Sequence, residues 1–164
     1  MLYQGNRVDL LSIETTHPDG GSVRREVVSH PGAVVILPML DEDTVLLIRN
    51  ERPCVLETLW ELPAGTLEAG EEPIACAARE LEEETGYRAA SLEPLLEFYT
   101  SPGFCNELLY IFLAKDLSFV GQNLDETEKI EVVPTSLPSA LEMITDGTIR
   151  DGKTIASLLF FIHR

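Results

Sequence analysis

The sequence predicts one α+β domain in which a mixed β-sheet carries packed helices and an antiparallel β-hairpin precedes the sheet. Three observations carry this: paired β-like runs early in the chain, an acidic helical pattern punctuated by Pro73 and Gly86, and two more helical patterns at the end. A chain of 164 residues, 45% hydrophobic, is long enough to bury one core and short for two.

Taken in order, residues 6–16 and 22–29 are β-like and are joined by His17-Pro18-Asp19-Gly20-Gly21, whose proline and glycines supply turn geometry. Residues 33–40 and 44–48 are stronger apolar runs and read as central strands. The acidic link Asp41-Glu42-Asp43 is short enough to make them a hairpin. A loop rich in proline and glycine follows, ending in Trp60-Glu61-Leu62-Pro63-Ala64-Gly65. Pro73 then opens a helix that runs to about Thr85 and stops at Gly86. Residues 92–99 and 107–114 read as strands flanking Ser101-Pro102-Gly103, with a short third strand at 131–133. A helix over 138–145 and another from Lys153, with Ile155, Leu158, Leu159 and Ile162 at helical spacing, complete the chain.

Composition narrows the function. With 28 acidic against 12 basic residues the net charge is −16, which repels a phosphate backbone, so nucleic acid is not an expected partner. An anionic ligand would need bound cations to approach such a chain. No apolar stretch is long enough for a membrane span and no signal-peptide pattern opens the sequence, so a soluble, cytoplasmic protein is expected. Cys54, Cys76 and Cys105 show neither CxxC spacing nor scaffold density and read as thiols of a reducing compartment.

The chemistry concentrates in the helix opened by Pro73. At roughly 100° per residue, Ile74, Ala77, Ala78, Leu81 and Thr85 share an apolar stripe. Glu80, Glu83 and Glu84 fall on an adjoining arc, and Glu82 points away. Like charges at this spacing repel by a few tenths of a kcal/mol each, so the arrangement does not serve helix stability. A hard divalent cation, which prefers oxygen ligands, would use it. A charge run by itself is more often a solvated face. Gly65 and Gly86 read as turn and helix-cap glycines.

Residues 65–87, GTLEAGEEPIACAARELEEETGY, resemble the Nudix box G-x5-E-x7-R-E-U-x-E-E-x-G-U, where U is apolar. Gly65, Glu71, Arg79, Glu80, Leu81, Glu83, Glu84, Gly86 and Tyr87 meet its fixed positions, Tyr87 being amphipathic in an apolar slot. The resemblance implies the Nudix fold, an α/β/α sandwich with a mixed sheet between helices, over 1–164 as a single domain. It implies Mg²⁺ or Mn²⁺, two or three ions per site, held by Glu80, Glu83, Glu84 and the carbonyl of Ala64, with Arg79 orienting the carboxylates. Glu83 and Arg79 would serve catalysis.

Glu61-Leu62-Pro63-Ala64-Gly65 before the box, and Pro102 sixteen residues after Gly86, resemble the ADP-ribose pyrophosphatase branch. So do the segments Arg25-Glu26-Val27-Val28-Ser29-His30-Pro31-Gly32 and Ile48-Arg49-Asn50-Glu51-Arg52-Pro53. That likeness implies hydrolysis of ADP-ribose to AMP and ribose 5-phosphate. It places Arg52 at the diphosphate, Glu107 near the terminal ribose, and Arg25, Glu57, Ser101 and Gly103 among the substrate contacts. In Leu124-Asp125-Glu126-Thr127-Glu128 it assigns Glu126 as general base and Glu128 as metal ligand, with Asp125 competing. It further implies a homodimer in which residues 1–30 help to build the partner's adenine site. Another nucleotide sugar, ADP-glucose or GDP-mannose, is the alternative substrate. A non-catalytic ADP-ribose-binding module is the alternative of another class, and the intact glutamate set argues against it.

Overall fold

The computed structural model describes every residue except 125–128. Its strands β1 (Tyr3–Gln4), β2 (Asp9–Thr16) and β3 (Ser22–Ser29) form a separate antiparallel sheet in that order. The expected N-terminal hairpin is therefore present, with β1 added at its edge. It meets the rest of the chain where Val28 N–H donates to the Phe104 carbonyl at 2.7 Å and Asn106 N–H to the Val28 carbonyl at 3.2 Å.

β4 (Ala33–Pro38), β5 (Thr44–Arg52), β6 (Glu57–Glu61), β7 (Ala64–Thr66), the helix α1 (Pro73–Thr85), β8 (Tyr87–Tyr99), β9 (Leu108–Phe119), β10 (Ile130–Ser136), α2 (Leu137–Thr145) and α3 (Gly152–His163) follow. One sheet has the order β7-β4-β9-β8 and is mixed, because β4 runs parallel to β9 while the other pairs are antiparallel. The second has the order β10-β5-β6. Side chains of a strand alternate between its faces. On β4 this sends Val34 and Ile36 against Cys76, Ala77 and Leu81 of α1. Val35 and Leu37 go to the opposite layer with Val45, Leu47, Ala140 and Leu158. β4 is thus buried on both faces, as its uninterrupted apolar run requires.

Three expectations need correction. The runs at 33–40 and 44–48 are not a hairpin but central strands of different sheets, joined by the single bridge of Met39 to Val45. Pro38 has no N–H to offer a ladder, and Met39 N–H is already given to the Ala114 carbonyl of β9 at 2.9 Å. Second, the segment read as a loop ending at Gly65 contains β6 and β7, which pair with β5 and β4 respectively. Third, β8 and β9 extend well beyond 92–99 and 107–114. A bulge between Pro94 and Leu96 accommodates the proline inside β8.

α1 matches the expected span. Pro73 occupies its first turn and Gly86 caps it at φ 75°, donating its N–H to the Glu82 carbonyl. Its buried face is rotated from the expected stripe. Cys76, Ala77, Leu81, Glu84 and Thr85 are buried, whereas Ile74 is 48% exposed. Among the described residues, no helix is long and apolar enough to cross a membrane.

Candidate active site

The rotation of α1 has a cause in its carboxylates. Glu84, only 3% exposed, turns inward because its Oε2 accepts the Ala64 N–H at 2.8 Å. Glu80 lies so close to the strand that a Cβ built on Gly65 would stand 1.9 Å from its Cδ. Gly65 is therefore not a turn glycine. It lies in β7, and its missing side chain is the room the Glu80 carboxylate occupies. Glu80, Glu83 and Glu84 all line one cleft of about 460 Å³, with Ala64, Gly65, Arg52 and Arg79 also on its wall. Glu82 points away, as expected, and its partner is Arg88 at 2.6 Å.

Arg79 ties this acidic cluster together. Its Nη1 donates to Glu80 Oε1 at 2.7 Å and to Glu83 Oε2 at 3.0 Å, while its Nε and Nη2 reach Glu71 at 3.0 and 3.1 Å. The guanidinium holds the Glu71 carboxyl down to about 2, with the Glu68 N–H adding to the effect. Burial, and then Glu71, push the neighbouring Cys76 thiol up to about 12, so it is an inert core thiol.

The donors fit the divalent cation that the box implies. They are hard carboxylate oxygens from adjacent turns of α1, beside a backbone peptide whose Gly65 leaves space open. Among the described residues, no three acidic, histidine or cysteine side chains close into a ready cation cage. Arg79 instead supplies positive charge to Glu80 and Glu83.

A second cleft of about 410 Å³ adjoins the first, sharing Arg52, Ala64, Gly65 and Thr66, and adds Thr100, Glu107, Asp151 and Lys153. Between the two stands a group with no role assigned from sequence. Glu61, fully buried at the end of β6, accepts both Nε and Nη2 of Arg52, at 2.7 and 2.6 Å, and also Lys153 Nζ. Burial alone would raise the Glu61 pKa, but Arg52 and Lys153 outweigh it and hold it below the usual value. Glu61 in turn raises that of Arg52. Lys153 also pairs with Asp151 at 3.0 Å, and Asp151 caps α3 by accepting the Thr154 N–H at 3.0 Å.

The structure brings the expected residues together unevenly. Glu107 lines the second cleft and accepts the Thr100 hydroxyl at 2.8 Å, with His30 Nε2 at 3.6 Å. Ser101 lies just beyond Thr100, its carbonyl accepting the N–H groups of Phe104 and Cys105, and Gly103 is exposed in the same turn. Arg25 is on the exposed face of β3, opposite Ile13. Glu57 is on β6 and pairs with Arg150, outside the lining of both clefts. Glu126 and Glu128, with Asp125, lie outside the described residues. Sequence reasoning also passed over Arg7 and Asn50, which line the acidic cleft.

Known proteins resemble this chain over most of its length. Residues 29–158 match the family model described as NUDIX domain. The chain is 40% identical over 161 residues to an ADP-ribose pyrophosphatase of Bacillus subtilis, covering 97% of this chain and 87% of that one. It is 37% identical over 161 residues to a methanol dehydrogenase activator of Bacillus methanolicus, with the same coverages of 97% and 87%. It is 37% identical over 165 residues to a GDP-mannose pyrophosphatase of Citrobacter koseri, covering 93% and 85%. A crystal structure of an ADP compounds hydrolase superposes with a TM-score of 0.85 at 22% identity, covering 98% of this chain and 87% of that one.

Proposed function

Because the chain belongs to the NUDIX domain family and is a Nudix hydrolase, we propose that it hydrolyses the diphosphate linkage of ADP-ribose, giving AMP and ribose 5-phosphate. The observation that carries the reading is the gathering of Glu80, Glu83 and Glu84 at the Ala64-Gly65 peptide, in a cleft that also holds Arg52. The ADP-ribose pyrophosphatase relative, which matches nearly the whole chain, supports the choice of substrate.

In this reading Glu80, Glu83, Glu84 and the Ala64 carbonyl hold two or three Mg²⁺ or Mn²⁺ ions, and Glu128 adds a ligand. Bound divalent ions supply a more acidic water and charge neutralisation at phosphate oxygens, worth several kcal/mol of barrier. Arg79 keeps Glu80 and Glu83 aligned through its Nη1 hydrogen bonds, the pairing seen at 2.7 and 3.0 Å. Arg52 meets the diphosphate, since guanidinium suits bidentate contact with phosphate. Glu126 takes the proton from the attacking water. Glu107 sits toward the terminal ribose, Ser101, Gly103 and Glu57 are further substrate contacts, and Arg25 reaches across to the partner's adenine site.

The working unit in this account is a homodimer of single-domain chains acting in the cytoplasm. The sheet of β1 to β3 lies almost wholly outside the residues the family model matches, and it exposes Tyr3 and Ile13, with Met1, Leu2 and Val8 exposed beside its strands. An apolar surface of this kind suits a second copy, and Arg25 on β3 would then reach the partner's cleft.

GDP-mannose is the second reading, favoured by the GDP-mannose pyrophosphatase relative. The α1 carboxylates serve either substrate, and the surrounding loops decide between them. Comparing kcat/KM for ADP-ribose, ADP-glucose and GDP-mannose settles the matter. ADP-ribose should lead by at least about tenfold, and a lead for GDP-mannose would replace the substrate while leaving the chemistry.

A further inference from the structure

The ion network around Glu61 has a polarity that simple stabilisation does not require. Its carboxylate is inside, with the side chain 1% exposed, while the cations that satisfy it lie nearer the surface, Arg52 at 35% and Lys153 at 16%. Both cations line the second cleft, and Arg52 lines the acidic cleft as well. Arg52 and Glu61 come from the paired strands β5 and β6, and Lys153 joins them from the first turn of α3, 92 residues beyond Glu61.

The geometry also restricts how the cations move. Two parallel hydrogen bonds at 2.7 and 2.6 Å fix the plane of the Arg52 guanidinium by its Nε–Nη2 edge. Lys153 is held between Glu61 and Asp151, and Asp151 is itself committed to the N-cap of α3. A ligand anion arriving at the junction of the clefts would meet cations already ordered, so binding would not bear the cost of freezing two long side chains. The acidic cleft that Arg52 lines also carries Glu80, Glu83 and Glu84, so fixed positive charge at Arg52 also decides which way an anionic ligand faces.

We propose that Glu61 is a positioning residue for the substrate: from behind the cleft wall it fixes Arg52, where the two clefts meet, and Lys153, in the second cleft, so that both take anionic oxygens of a nucleoside diphosphate sugar. This rests on the reading of the cleft given above. Glu61 touches no substrate atom and acts only through the two cations.

The test is Glu61→Gln, which keeps the side-chain shape and removes the charge, with Lys153→Met as a second variant that leaves the Arg52–Glu61 pair intact. Steady-state kinetics on ADP-ribose with Mg²⁺ are read beside calorimetric titration with ADP, a probe that needs no turnover. Each variant should raise KM and the ADP Kd by about tenfold or more, as loss of a charge pair at a binding site does, while kcat stays within about threefold. Adding Glu61→Gln to Arg52→Ala should weaken ADP binding much less than it does alone, because part of its action is routed through Arg52. If Glu61→Gln fails to fold, Lys153→Met carries the test. A folded variant with wild-type KM and wild-type ADP affinity overturns the proposal, as does a fall in kcat with KM unchanged. A wild-type protein that cleaves no nucleotide sugar would instead defeat the reading of the cleft, so the two failures are distinguishable.

Discussion

Gly65→Ala separates a structural from a functional role for one atom. A Cβ at this position would lie 1.9 Å from Glu80 Cδ and 2.0 Å from its Oε1, where ordinary contact needs about 3.4 Å or more. The Glu80 carboxylate must therefore retreat by about 1.5 Å, leaving its 2.7 Å hydrogen bond to Arg79. Losing one charge-assisted bond costs about 1.5 kcal/mol. Arg79 keeps Glu71 and Glu83, and replacing a glycine outside the left-handed region returns about 0.5 kcal/mol through the unfolded chain. The net loss is about 1 kcal/mol, a drop in Tm of roughly 3 °C for a chain of this size. Metal affinity should suffer far more, since a displaced ligand or its support typically costs tenfold to about a hundredfold. Calorimetric titration with Mn²⁺ beside a thermal melt reads both quantities. A folded variant that takes up Mn²⁺ with wild-type affinity refutes the placement of Glu80 as a ligand supported by the gap at Gly65.

Other perturbations have equally definite outcomes. The Glu71 carboxyl titrates near 2 instead of 4.5, so its stabilisation is complete above about 4.5 and is lost as pH falls toward 2. In acid-unfolding curves Glu71→Gln should be the less stable protein at neutral pH and converge on wild type at low pH, and parallel curves would contradict this. At Gly86, a Cβ would meet the Gln122 nitrogen at 2.7 Å and the Gly121 carbonyl carbon at 2.8 Å, on a backbone at φ 75°. Gly86→Ala should cost about 2 kcal/mol or more, a Tm fall of at least roughly 4 °C, and an unchanged melt would remove its role as the helix stop. Deleting residues 1–28 should shift the species seen in sedimentation from dimer to monomer and raise KM for ADP-ribose, whereas a truncated chain that stays a fully active dimer would exclude that interface.

What could be read in advance follows from whether the cause is local. The limits of α1 were legible because Pro73 and Gly86 act on their own turn, and the span of α2 and the start of α3 followed from short-range signals in the same way. β6 and β7 were not, because their partners are β5 and β4 and nothing within residues 57–66 alternates clearly. The acidic cluster was legible as a helical arc, but the depth of Glu84 was not, since the N–H that draws it inward belongs to Ala64, twenty residues earlier. Gly65 looked like a turn because the reason for its bareness, Glu80, sits on another element. Glu61 was quoted only as part of a motif. A carboxylate between Trp60 and Leu62-Pro63 is itself a signal of a buried ion pair, yet one partner, Lys153, is 92 residues away.

The most direct test of the central claim is the hydrolysis of ADP-ribose by wild type and Glu83→Gln, each with Mg²⁺ and with chelator, products resolved by chromatography. AMP and ribose 5-phosphate should accumulate with wild type and Mg²⁺ alone. Equal product formation in chelator, or full turnover by Glu83→Gln, would contradict the account.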